Sequence, residues 1–282
     1  MKSQSSSLTI RRTISYIVLI LLSFLSLFPF FILIINATRA HSEIQKGFSI
    51  LPGTFFLQNF TKMMSNENIP VLQALLNSVY VSFMTALLTT YFSCMTAYGI
   101  YMYNFKGKKF VFRFILAIMM VPAQVSTLGF LKLISKMGMG NSLAALFIPS
   151  IAAPIVFFYL YQAMESTLPY SIVEAARVDG CNEFRTFNTI AVPMMKPSIA
   201  VQAIFAFVSS WNNYFTPALV ISSKEKKTIP ILIAQLRSAD YQKFDMGQVY
   251  MMVFLAIVPL IIVYLFLSRS IISGVTVGGV KE

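Results

Sequence analysis

Residues 171–193 read SIVEAARVDGCNEFRTFNTIAVP and carry Glu174, Arg177, Asp179, Glu183 and Arg185. They lie between two runs, roughly 141–164 and 197–220, that contain no Asp, Glu, Lys, Arg or His. A helix needs about 18–20 apolar residues to cross the ~30 Å hydrocarbon core of a bilayer, so each run is long enough to span and the polar stretch is a loop between spans. Four more uncharged runs, at roughly 14–36, 71–103, 114–131 and 248–268, extend the pattern in both directions. The fold expected is an all-α membrane protein of six transmembrane helices, with both termini on one side. Composition agrees: of 282 residues, 57% are hydrophobic and 11% charged, which no ordinary soluble domain matches. The first run follows Arg11 and Arg12 and exceeds the ~7–15 residues of a signal-peptide core, so a retained helix is expected.

Lysine and arginine in the loops give the orientation. The densest group, Lys106, Lys108, Lys109 and Arg113, sits in a very short connection, and the N-terminal arm adds Lys2, Arg11 and Arg12. Cations of the opposite side are spread through two longer loops, roughly 37–70 and 221–247. This places both termini and the 171–193 stretch in the cytoplasm. The net charge of +12 is then a basic inner rim facing anionic lipid, with no nucleic-acid partner. The organisation expected is an arm, first helix and outer loop over 1–70, a helical core over 71–268 containing the loop 169–193, and a tail over 269–282 too glycine-rich to be a good helix. Pro29, Pro122, Pro149, Pro154, Pro217 and Pro259 interrupt spans and imply a packed bundle whose neighbours satisfy the freed backbone groups.

Several chemistries are excluded. No G-x-x-x-x-G-K-[ST] loop occurs, so the chain has no P-loop of its own; the Gly-Lys pair in FKGKKF lacks the first glycine and the hydroxyl. The six cores hold no ionisable Asp, Glu, His or Lys, which disfavours proton coupling, although sodium held by backbone carbonyls stays open. No histidine stands near a Ser or Cys nucleophile in any span, so no catalytic residues are expected. His41 has no second ligand nearby, and Cys94 and Cys181 fall in a span and a cytoplasmic loop, so neither a metal site nor a disulfide is expected.

Within the loop, Ser171 and Glu174 have the spacing of a capping box after Pro169. The helix would run to about Asp179, and Gly180 would end it in the left-handed conformation. Asn182 would cap a second short helix through Thr189, and Pro193 would open the next span. Such a body is too polar to enter the membrane and too structured for a mere connector. Ala175 and Ala176 would let another protein approach closely, and the Glu174 carboxylate reads equally as a cap or as a contact. In the fifth span Trp211, Asn212, Asn213 and Tyr214 combine aromatic faces and amides, which suit either a sugar or an interfacial anchor; Asn77, Gln124 and Gln202 are further candidates.

The positions Glu174-Ala175-Ala176, Gly180, Ile190, Val192 and Pro193 resemble the EAA loop of ABC-importer permeases, with Val192 where leucine is commoner. Residues 211–236 and 273–282 are similar to segments of the carbohydrate branch, of the maltose-transporter type, and six spans match its smaller permease subunit. The likeness covers roughly 71–282 well and the first span loosely. It implies the type I importer fold in a bacterial plasma (inner) membrane, with Glu174, Ala175, Ala176, Arg177, Asp179 and Gly180 as the coupling helix that contacts an ATPase. It further implies a second, different permease subunit, an ATPase dimer carrying ATP and Mg, an extracellular or periplasmic solute-binding protein, a sugar substrate and surrounding lipid. Gly274, Gly278 and Gly279 would lie in a tail reaching the ATPase. The alternatives are an importer for a polyol, glycerol phosphate or peptide, and an ion-coupled carrier.

Overall fold

The computed structural model describes residues 2–66, 69–122, 125–238 and 245–278, with side chains within 11–266. All regular structure among these residues is helical. In chain order the helices are α1 (Lys2–Ala37), α2 (His41–Gln45), α3 (Phe56–Met64), α4 (Val71–Met102), α5 (Lys108–Ile118), α6 (Thr127–Lys136), α7 (Ala144–Phe147), α8 (Pro154–Thr167), α9 (Tyr170–Val178), α10 (Glu183–Thr186), α11 (Val192–Met194), α12 (Lys196–Trp211), α13 (Phe215–Val220), α14 (Ile229–Arg237) and α15 (Met246–Gly278). Among the described residues, four stretches are long and apolar enough to cross a membrane, Arg11–Ala37, Val71–Met102, Ala144–Thr167 and Met246–Phe266, or five if the bent pair Glu183–Met194 and Lys196–Trp211 is one span.

The chain forms two compact units. The first comprises Met1–Ile69 and Ile233–Ile257. Its helix α1 presents apolar side chains on every face, as a lipid-facing span does. Just after α1, Arg39 is buried, and its guanidinium donates to Asn36 Oδ1, to Gly47 O (both 3.1 Å) and to Glu43 O. The Asn59 amide donates to Ala37 O (3.0 Å) and Arg39 O (2.9 Å), closing the turn from the other side. His41 accepts from the Met246 N–H through Nδ1 at 3.0 Å.

The second unit, Pro70–Leu232 with Val258–Glu282, is organised on α4. This helix buries an uncommon run of polar side chains, including Asn77, Ser78, Ser82, Thr89, Thr90 and Ser93. Their partners explain them. Residue 154 of a continuous helix would donate to Ser150 O, but Pro154 has no N–H and the chain leaves the helix at Ala152 and Ala153. Thr89 Oγ1 donates to Ser150 O instead, at 3.0 Å, and Ser93 Oγ reaches Ala153 O at 3.4 Å. The Asn77 amide donates to Glu225 O (2.7 Å) and Lys227 O (3.0 Å), fixing the loop before α14. Asn141, at φ +52°, accepts from the backbone of Ser222 and Ser223 and fixes the same loop at its other end.

Three expectations change. The third span, expected over 114–131, divides: α5 ends at Ile118 and α6 begins at Thr127, with Pro122 between them. The fifth, expected over 197–220, ends at Trp211 and restarts at Phe215, and on its other side bends by 81° against the segment Glu183–Met194. Pro197, not Pro193, occupies the first turn after this bend, because Pro193 lies inside α11 and the break falls at Met195. The tail is helical as far as Gly278. Each glycine costs about 1 kcal/mol relative to alanine, which an already propagated apolar helix tolerates.

Thr89→Val preserves shape but removes the donor to Ser150 O. It is expected to lower stability by about 1 kcal/mol, read as a reduced melting temperature of the purified protein.

Candidate functional site

The loop 169–193 folds as a small body on the end of α4. Helix α9 starts two residues earlier than the capping-box spacing requires: Pro169, at φ −64° and ψ 136°, is the N-cap in place of Ser171, and no side chain caps it. The reason is tertiary. The Tyr170 phenol donates to Tyr101 O at 3.0 Å and its ring lies 4.7 Å from that of Tyr101, which draws Tyr170 into the first turn. Ser171 and Glu174 are thereby moved past the positions from which they could cap, and both are exposed. At the other end Cys181 N–H donates to Ala176 O and Gly180 N–H to Arg177 O, both at 3.0 Å, which is a Schellman turn. Gly180 stands at φ +77°, a conformation that side-chain-bearing residues resist. Asn182 then caps α10, its Oδ1 accepting from Arg185 N–H at 2.8 Å. A π-helical turn over Phe187–Ala191 leads into α11.

A polar junction holds the two short helices together and to α4. Arg177 Nε contacts Glu183 Oε1 at 2.6 Å, the Tyr98 phenol donates to Glu183 Oε2 at 3.1 Å, and the guanidinium lies 5.4 Å from the Tyr103 ring centroid. The hydrogen bond from Arg177 holds the Glu183 carboxyl below its ordinary value and raises that of Arg177 in return. Burial, then the Glu183 carboxylate, push the Tyr103 phenol up. Beside this junction Val173, Phe187, Ala191 and Met195 are buried with Tyr98 and Tyr101, and the Phe187 ring sits 5.4 Å from that of Tyr98. Tyr91 donates to Asn188 Oδ1 at 3.3 Å, adding a contact to the π turn. Nothing in the spacing of the sequence marks Glu183, Tyr98 or Tyr103 as partners, because they meet only when the loop folds back on α4.

The outward face is of opposite character. Glu174, Ala175, Asp179 and Gly180 are exposed, Val178 is 88% exposed and Phe184 68%. Ala176 faces inward and is buried, and Arg177 is engaged by Glu183. Of the six loop residues picked from sequence, four are therefore on the free surface.

The second feature is a cavity of about 780 Å³ bordered by α4, α8 and α12. Thr85, Thr89, Tyr159, Gln202, Ser209, Ser210 and Asn213 supply its polar lining, and no lining residue is ionisable as Asp, Glu, Lys, Arg or His. Of the four fifth-span candidates only Asn213 lines it; Trp211 is buried and stacked on Phe207 at 5.8 Å, while Asn212 and Tyr214 are exposed elsewhere. Gln202 lines it and Asn77 does not. Gln124 and Gly279 lie outside the described residues, and Gly274 and Gly278 belong to the last turns of α15. The α4 threonines and Ser209, Ser210 and Tyr159 escaped sequence reading, because nothing in their spacing marks which face of a span borders the cavity.

Comparison with known proteins places this architecture. Residues 90–276 match the family described as "Binding-protein-dependent transport system inner membrane component". The chain belongs to this family. The permease is 37% identical over 268 residues to the arabinooligosaccharides transport system permease protein AraQ of Bacillus subtilis (strain 168), covering 93% of this chain and 92% of that one. It is 31% identical to the lactose transport system permease protein LacG of Rhizobium radiobacter, covering 95% and 96% of the two chains. Among solved structures, a bacterial ABC transporter involved in the import of the acidic polysaccharide alginate superposes with a TM-score of 0.79 at 18% identity, over 92% of this permease and 96% of that chain, and so shares its fold.

Glu183→Gln is expected to loosen the loop, measured as several-fold faster hydrogen exchange of the amides of α9 and α10. Since the carboxyl is held below its ordinary value of 4.5, its stabilisation is present at neutral pH and lost as pH falls through that lowered value. Wild-type protection, corrected for intrinsic exchange, is expected to be flat from about pH 8 to about pH 5 and to drop below the carboxylate range. The Gln variant should not follow that drop.

Proposed function

We propose that the permease forms half of the translocation pathway of an ATP-driven importer for an uncharged oligosaccharide, the 169–193 loop being its attachment to a separate ATPase. The observation that carries the coupling part is the contrast between the two faces of the loop. One face is fixed to α4 by the Arg177–Glu183–Tyr98 junction and buried apolar side chains, and the other leaves Val178 and Phe184 exposed among Glu174 and Asp179. Apolar side chains on a water-facing helical body gain by meeting a partner, and a body fixed to a long helix can pass a displacement along it. ATP and Mg would bind to the ATPase, not to this chain.

The cargo part rests on the lining of the large cavity. Neutral hydroxyls, amides and the Tyr159 ring can hydrogen-bond and stack against a sugar, whereas an anionic cargo would be left without a counter-charge. This favours the arabinooligosaccharide and lactose systems as guides over another relative, the sn-glycerol-3-phosphate transport system permease protein UgpE of Escherichia coli O1:K1 / APEC, 27% identical. A second, different permease would close the other side of the cavity, and an external solute-binding protein would deliver the sugar. The cation distribution supports a cytoplasmic N-terminus and loop, with the α15 end, including Gly274 and Gly278, on the ATPase side.

Purification in mild detergent is expected to bring down a second permease and an ATPase with this chain. Val178→Asp or Glu174→Lys should reduce the co-purified ATPase and sugar uptake by an order of magnitude or more while insertion into the membrane persists. Uptake driven by an ion gradient with the permease alone in liposomes would refute the ATP-driven reading. Tyr159→Ala is expected to slow uptake of neutral oligosaccharide without affecting ATPase retention, assayed with radiolabelled sugar.

A further inference from the structure

Two hydroxyls in the second unit have no hydrogen-bond partner among the described residues although their side chains are buried: Ser82 Oγ, on a residue 1% exposed, and Thr228 Oγ1, on one 4% exposed. Each has an obvious local partner that it does not use. Elsewhere in α4, Thr90 turns back onto Ala86 O at 2.7 Å and Thr96 onto Phe92 O at 2.8 Å, but Ser82 makes no such bond to Ser78 O. Thr228 precedes α14, and its carbonyl accepts from Ile231 and Leu232 N–H. Its hydroxyl does not cap that helix; Ser78 Oγ takes the Ile229 N–H instead, at 2.8 Å.

Both orphan hydroxyls line one small cavity of about 20 Å³, together with Ser78, Ser210, Asn213 and Thr216. That volume admits a water molecule, which needs about 10–15 Å³ and two to four polar partners. We infer that this cavity holds an ordered water bridging Ser82 of α4 to Thr228 at the start of α14. A hydroxyl both donates and accepts, so one water can satisfy both orphans at once. Ser78 still has its own proton to donate, since its oxygen only accepts from Ile229. Asn213 Oδ1 already accepts from Thr216 N–H at 3.2 Å, which leaves the Asn213 amide nitrogen to donate. The lining offers a monovalent cation neutral oxygens only, with no carboxylate to offset its charge. Ser210 and Asn213 line the large cavity as well, so the water stands directly behind its polar wall.

The test separates a bridge from two merely unpaired hydroxyls. Ser82→Ala, Thr228→Val and the double variant are compared by thermal unfolding of the intact detergent-purified complex. With a bridging water each single variant melts lower, by about 2–4 °C, and the double variant loses clearly less than the sum of the two, because both remove the same bridge. Unchanged or raised melting temperatures that add in the double variant would overturn the proposal, since deleting an unpaired buried hydroxyl relieves a penalty. Independently, a high-resolution map should contain density about 2.5–3.0 Å from both hydroxyl oxygens. Its absence where other internal waters are visible would refute the site. Melting at equal ionic strength in sodium and choline chloride is expected to coincide; a sodium-specific rise would assign the cavity to a cation and overturn the water.

Discussion

Inside hydrocarbon no water is at hand for a carbonyl that proline has deprived of its helical donor, so another part of the chain must supply one. In the second unit α4 does this. Thr89 and Ser93 take over at the Pro149–Pro154 interruption, and Asn77 and Ser78 fix the backbone entering α14. The polar residues of α4 are thus the complement of irregularities elsewhere, and the broken segments can be irregular because one helix remains whole.

The same helix carries the loop. Its last turn has carbonyls without intrahelical partners, and Tyr101 O is met by the Tyr170 phenol at 3.0 Å and Lys108 Nζ at 3.3 Å. With Tyr98 on Glu183 and Phe187 packed beneath, α9 and α10 become an extension of α4. A single exposed ion pair contributes little by itself, yet this one is embedded in tyrosine contacts and an apolar cluster that fix its geometry. Under the proposed function the π turn and the 81° bend after it lie on the route by which ATPase motion would reach the lining of the large cavity through α12.

The two cavities divide the labour of the polar wall. The large one offers neutral donors and acceptors at a scale suited to a small glycan, while the small one behind it supports Ser210 and Asn213. Amides and hydroxyls that line the large cavity need their remaining valences fixed from behind, as buried polar groups do in any ordered polar network.

The sequence alone determined that the chain is a helical membrane protein, because uncharged runs of spanning length can be satisfied only as helices. It also determined the turn at Gly180 and the cap at Asn182, since both depend on residues next to each other in the chain. The capping box was misread there, because Tyr170 gains more by meeting Tyr101, 69 residues away, than Ser171 gains as a cap. Glu183, Tyr98 and Tyr103 stayed hidden for the same reason, as did Thr89: their partners are distant in sequence and chosen by packing. Ala176 carries the same motif as Ala175, yet only the folded loop turns one inward and leaves the other free. Local chemistry fixed the Gly180 turn and the Asn182 cap, and tertiary contact decided where α9 begins and which side chains line the large cavity, stay exposed or enter the core.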